Sequence, residues 1–113
     1  MTKSDINFTV ELDDERVPER ILWDATEKPE EVGNETSAIT ISIWDPEVKN
    51  TMRIDLWTKE MPVDEMKKFY IDCLGGMAQS LLTSTGDEFM STEMNTLCDK
   101  LVEYLRKENE GGN

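Results

Sequence analysis

The chain has 113 residues, with 25 Asp or Glu against 12 Lys or Arg, no histidine and a formal charge of −13. That length supports one domain whose core needs neither disulfide nor metal. The acidity opposes binding to bare nucleic acid or to an anionic membrane leaflet. The missing histidine removes the usual proton shuttle, the Ser-His and Cys-His nucleophile pairs and every His-bearing metal site.

The N-terminal residues contain no apolar run of the length a secretion signal needs, and no segment reaches the roughly 20 apolar residues of a membrane span. A cytoplasmic protein is the expectation. Ile6, Phe8, Val10 and Leu12 then alternate with Asn7, Thr9 and Glu11, which predicts a half-buried strand. After the polar turn Asp13-Asp14-Glu15-Arg16 comes a second strand with Ile21, Trp23 and Ala25 on one face and Leu22 and Asp24 on the other. Two registers compete: a tight turn pairs Leu12 with Val17, and a longer loop pairs Val10 with Ile21. Residues 26–36 hold a proline, a glycine and four glutamates, and read as a mobile acidic loop.

The next two strands specify each other. Closing the turn at Asp45-Pro46-Glu47-Val48-Lys49-Asn50 sets Ile43 opposite Met52, Ile41 opposite Ile54 and Ile39 opposite Leu56. The other face then sets Ser42 beside Arg53 and Thr40 beside Asp55, so one register satisfies both faces.

From Pro62 the period becomes helical. Asp64 and Glu65 suit a helix start, and Met66, Phe69, Tyr70, Cys73, Met77 and Leu81 form one apolar stripe. Gly86 ends this helix and Asp87 caps the next, whose stripe is Met90, Met94, Leu97, Cys98, Leu101, Tyr104 and Leu105. The tail from Glu110 to Asn113 is expected to fray. The fold class is α+β. A four-stranded antiparallel meander within 5–57 precedes two α-helices, within 62–84 and 87–109, packed on one sheet face in a single domain, 1–113.

No motif in this chain builds a catalytic, metal or cofactor site. The paired carboxylates, Asp13-Asp14, Glu30-Glu31, Asp64-Glu65 and Asp87-Glu88, fall in turns and at helix starts, where solvated carboxylates cap backbone. Neither an EF-hand spacing nor a phosphate loop is present; Gly75-Gly76 lies inside a helical stripe and reads as a close backbone approach. Cys73 and Cys98 are in phase with the stripes and read as buried, reduced thiols. Met66, Met77, Met90 and Met94 read as core filling, with an adaptable groove as the alternative. Trp44 and Trp57 stand apart. They share the sheet face opposite the isoleucines, at opposite ends, with Arg53 and Asp55 between them. Exposed aromatics of this kind anchor protein contacts, so Trp44, Arg53, Asp55 and Trp57 are the candidate contact surface.

Several stretches resemble a known family. Ile6-Asn-Phe-Thr-Val-Glu-Leu-Asp13, Val17-Pro-Glu-Arg-Ile-Leu-Trp-Asp-Ala-Thr26 and Thr85-Gly-Asp-Glu88 are similar to the gliding-motility-associated GldC family of Bacteroidota. The most specific stretch is Lys49-Asn-Thr-Met-Arg-Ile-Asp-Leu-Trp-Thr-Lys-Glu-Met-Pro-Val-Asp-Glu-Met66. The resemblance covers roughly residues 4–105. It implies a small cytoplasmic accessory protein of the gliding apparatus, linked to type IX secretion, and brings no catalytic residue, cofactor or ligand. The expectation is therefore a non-enzymatic protein that acts through protein partners. An open sheet would also accept a second copy of the chain. The order of four strands and two helices is similar to the secretion chaperone SecB, which makes a binder of unfolded or exported chains the alternative.

Overall fold

Asp13 organises the first turn through its own side chain. In the computed structural model, which describes residues 2–111, its Oδ1 accepts the Glu15 and Val17 N–H groups at 2.8 and 2.9 Å. The Asp13 N–H donates to the Val17 carbonyl at 2.9 Å, and Arg16 takes a left-handed conformation with φ of 65°. This Asx-type turn joins β1 (Ile6–Leu12) to β2 (Pro18–Ala25). Val10 lies opposite Ile21, as the longer loop requires. A bulge between Glu11 and Leu12 then sets Leu12 against Pro18. One irregular step thus reconciles the register with a short turn.

The loop at 26–36 has more structure than its composition suggests. It ends in a two-residue strand, β3 (Glu35–Thr36), with Thr36 opposite Ile21 and Glu35 opposite Leu22. Within the loop the Lys28 ammonium lies 4.8 Å from the Trp23 ring centroid. It donates to the Gly33 carbonyl at 3.1 Å and to the Asn34 side-chain oxygen.

The strands do not form the single four-stranded meander expected. They form two antiparallel sheets, one ordered β1-β2-β3 and the other made of β4 (Ala38–Asp45) and β5 (Asn50–Trp57). The physical reason is that β3 occupies the free edge of β2, and the Trp23 N–H beyond it is taken by the Asn34 carbonyl at 2.8 Å. The backbone groups that a meander would offer to β4 are already satisfied. Between β4 and β5 every expected pair is present: Ile43 with Met52, Ile41 with Ile54, Ile39 with Leu56, Ser42 with Arg53 and Thr40 with Asp55. Asp45 repeats the part played by Asp13. Its Oδ1 accepts the Glu47 and Val48 N–H groups at 2.9 and 3.2 Å, and Lys49 turns left-handed with φ of 58°.

The chain divides into two compact units, residues 1–62 and 63–113. In the strand unit Ile21 is fully buried and Ala38 nearly so. The helical unit is an antiparallel pair, α1 (Val63–Thr85) and α2 (Glu88–Gly111). Gly86, with φ of 72°, donates its N–H to the Leu82 carbonyl at 2.9 Å and ends α1. Asp87 caps α2, its Oδ1 accepting the Met90 N–H at 3.0 Å. Between the helices the buried Ser91 hydroxyl donates to the Ala78 carbonyl at 3.1 Å, and Lys67 pairs with Glu108 at 3.0 Å. Cys73 and Cys98 are thiols, half-buried and not fully enclosed as expected.

The close approach expected at the glycine pair is absent. A Cβ on Gly75 would meet Cys98 Sγ at 3.9 Å, an ordinary contact, and one on Gly76 would meet nothing within 4 Å. Nothing in the structure explains the doublet. At the C-terminus α2 runs through Gly111, where fraying was expected; Gly112 and Asn113 lie outside the described residues. Among the described residues no helix is long and apolar enough to cross a membrane.

Candidate protein-contact surface

Alternation along β4 and β5 sorts their side chains into two unlike faces. One carries Thr40, Ser42 and Trp44 from β4 and Arg53, Asp55 and Trp57 from β5. The other carries Ile39, Ile41, Ile43, Met52, Ile54 and Leu56.

On the polar face the four residues expected to make contacts all lie together in one plane of side chains. Arg53 donates from Nη2 to the Asp55 carboxylate at 2.9 Å and to the Thr40 hydroxyl at 3.0 Å, and from Nη1 to the Ser42 hydroxyl at 3.2 Å. The Thr40 hydroxyl also donates to Asp55. That hydroxyl, with the Arg53 guanidinium second, holds the Asp55 carboxyl below the usual carboxylate range. Arg53 and Asp55 therefore form a self-neutralised strip, held flat against the strands by cross-strand partners.

The tryptophans flank this strip. Trp44 is 60 % exposed and Trp57 49 % exposed. Trp44 faces Thr51 across the ladder and Trp57 faces Ala38, so about 20 Å of strand separates them at ~3.3 Å per residue. Trp57 is not an isolated ring. It lines a groove of 340 Å³ with Val17, Pro18, Asp55, Leu56 and Lys59. The Lys59 ammonium is fixed at the groove by Asp13 at 2.9 Å and Glu19 at 3.5 Å, and the Lys59 backbone N–H donates to the Pro18 carbonyl at 3.2 Å. The Lys59 bond in turn holds the Asp13 carboxyl below its ordinary range. The Trp57 end is thus an apolar slot with a paired cation at its rim; the Trp44 end is an open aromatic beside the Asp45 turn.

The isoleucine face departs from expectation. Ile43 is 47 % exposed, Met52 59 % and Ile54 41 %, although their alternation marked them for burial. Periodicity identified the apolar side and overstated its enclosure. These residues were absent from the candidate set for that reason; the signal that could have found them is that all six positions of the face lack any charge.

A second groove, also of 340 Å³, lies between α1 and α2, with Ile71, Val102 and Leu105 as its apolar lining. Two of its three lining carboxylates are in ion pairs, Glu108 with Lys67 at 3.0 Å and Asp72 with Lys68 at 2.8 Å, and the third, Asp64, lies in the first turn of α1. The Lys67 bond holds Glu108 below the usual range, the opposite of what a proton donor requires. Among the described residues no cluster of three or more Cys, Asp or Glu is placed to hold a metal ion.

Neither the curated proteins nor the solved structures contain a match to this chain. A family model does match, described as gliding motility-associated protein GldC-like, over residues 18–107. That span takes in β2 through most of α2, including the tryptophan-flanked face and both Asp-closed and Gly-closed turns after residue 18. With most of its length matched, including the stretch around Trp57 that carried the resemblance, the chain belongs to the GldC-like family of gliding-motility-associated proteins.

Proposed function

We propose that the protein is a non-enzymatic cytoplasmic accessory or scaffold of the gliding apparatus and its associated type IX secretion machinery, and that it binds protein partners through the polar face of β4 and β5. The observation that carries this reading is the pair of exposed tryptophans framing a flat strip of internally neutralised charge. A partner that covers Arg53 and Asp55 there buries charges already bonded to each other, while the rings supply the apolar anchoring. The Trp57 slot, with Pro18 and Val17 as walls, accepts an inserted side chain; the Trp44 end accepts a flatter contact.

The test is site-specific cross-linking in gliding cells. A photoreactive residue in place of Trp57 or Trp44 is expected to yield discrete adducts with components of the gliding or secretion apparatus. The same residue at Thr92, on exposed α2 surface, is the control. Adducts dominated by a broad smear of nascent or exported chains would favour the chaperone alternative. Equal labelling from all three positions would sink the surface assignment.

A further inference from the structure

Hydrogen-bond parity fixes which backbone groups of β5 point away from β4. The Thr58 N–H donates to the Ser37 carbonyl at 2.8 Å, one step past the Ala38–Trp57 pair, and the ladder then runs unbroken to Asp45 and Asn50. Bonded pairs alternate in an antiparallel ladder, so Ile54 and Leu56 bond to β4. Asp55 and Trp57 turn their N–H and C=O groups to the other side. Among the described residues neither has a backbone partner there. Free edges are commonly guarded by proline, lysine, a bulge or a covering segment. The first sheet has such guards, a bulge on β1 and β3 along β2. β5 holds eight residues in even register with neither proline nor lysine.

The groove of 340 Å³ at Trp57 lies on this open side. Leu56 and Trp57 project to opposite faces, so a groove lined by both, with Val17, Pro18 and Lys59, opens at the strand edge. Charge around it is unbalanced. Asp13 and Glu19 share the Lys59 ammonium, while Asp55 is matched by Arg53. The turn before Val17 adds exposed Asp14 and Glu15 against Arg16. Among these groups carboxylates outnumber cations.

We infer that the β5 edge takes an extended, basic segment of a partner protein, added as a strand, with an apolar side chain in the Trp57 slot and a Lys or Arg at the carboxylate rim. This rests on the proposed reading of the Trp57 end as a contact surface, and names the chemistry of what binds there. The free groups of Asp55 and Trp57 are matched by another strand, whereas a helix satisfies its own backbone. A residue paired with Trp57 projects on the same face as the ring, which brings its side chain to the groove. The rim carboxylates attract a basic segment and repel an acidic one; a second copy of this chain, at −13, is disfavoured by the same rule.

Nuclear magnetic resonance on the full chain tests this, with acetyl-Lys-Val-Arg-Val-Lys-amide as the probe. In the free protein the Ile54 and Leu56 amides are expected to exchange slowly with solvent, and those of Asp55 and Trp57 fast. With peptide at several times its Kd, the Asp55 and Trp57 amides are expected to slow by about fivefold, and the Trp57 indole signal to shift. The acidic counterpart acetyl-Glu-Val-Glu-Val-Glu-amide is expected to bind at least about tenfold more weakly, and Glu19→Gln to narrow that gap about twofold. No binding of the basic peptide at millimolar concentration overturns the inference. So do equal binding of the two peptides, a gap unchanged in folded Glu19→Gln, or a bound peptide that leaves the Asp55 and Trp57 amides fast. If discrete cross-links at Trp57 in gliding cells accompany such a result, the contact surface stands and the strand addition alone falls.

Discussion

The two sheets are built from the same plan and stabilised in different ways. Each begins as a hairpin whose turn is closed by an aspartate side chain and completed by a non-glycine residue in the left-handed region, Arg16 in one and Lys49 in the other. The first sheet then becomes irregular. It gains a bulge, a third strand and a lysine-centred loop, and it contains the fully buried Ile21. The second keeps perfect alternation and a continuous register, yet three of its six inward-patterned side chains stay substantially exposed. Regularity of pattern and depth of burial are thus separate properties: the first is set by pairing within a hairpin, the second by what else packs on it.

The largest test of that contrast is Ile21→Ala. Truncating a fully buried isoleucine is expected to cost about 2–5 kcal/mol of unfolding free energy in denaturant titrations, from lost transfer energy and the cavity left behind. A cost below about 1 kcal/mol would mean that the first sheet has no more of a core than the second.

The shared turn geometry permits a smaller test in both sheets at once. Arg16→Gly and Lys49→Gly remove a Cβ from positions with φ of 65° and 58°. Each is expected to raise stability by up to ~1 kcal/mol, relief of left-handed strain outweighing the entropy that glycine adds to the unfolded chain. A gain at one turn and a loss at the other would show that the turns are less alike than their hydrogen bonds.

The smallest effect concerns acid. Asp13 in the first sheet and Asp55 in the second both ionise more readily in the fold than in the unfolded chain. Their contribution is present above the unfolded value near 3.8 and fades as pH falls through the lower folded values. Asp13→Asn and Asp55→Asn should each flatten the stability profile below about pH 4, with little change in its slope from pH 6 to 8. An unaltered acid limb in both would show that these ion pairs contribute nothing measurable, as exposed pairs often do.

Much of this architecture is legible in the sequence where a single local rule decides. The β4–β5 register follows from two faces agreeing on one turn, and the Gly86-Asp87 junction follows from capping chemistry. The candidate face was legible too, since Trp44 and Trp57 fall out of phase with the isoleucines. What could not be read depends on contacts distant in sequence. A two-residue strand at Glu35-Thr36 has no periodicity to detect, and only the open edge of β2 gives it a partner. The bulge between Glu11 and Leu12 is invisible to alternation: Val10 pairs with Ile21 as one of the two registers requires, while Leu12 meets Pro18, a pair that neither register contains.

The contacts of Lys28 have a consequence of a different kind. Its cation, its aromatic floor and its carbonyl acceptors all come from residues 23–34. The loop thus carries part of its own support, and β2 and Asp5 hold its two ends. Trp23, Lys28, Gly33 and Asn34 form its inner contacts, and among the described residues Glu35 is the one glutamate of the loop bonded to β2, through Arg20 at 3.1 Å. The Lys28 ammonium thus joins the two sides of the loop, Trp23 on one and Gly33 and Asn34 on the other, in the most acidic part of the sequence.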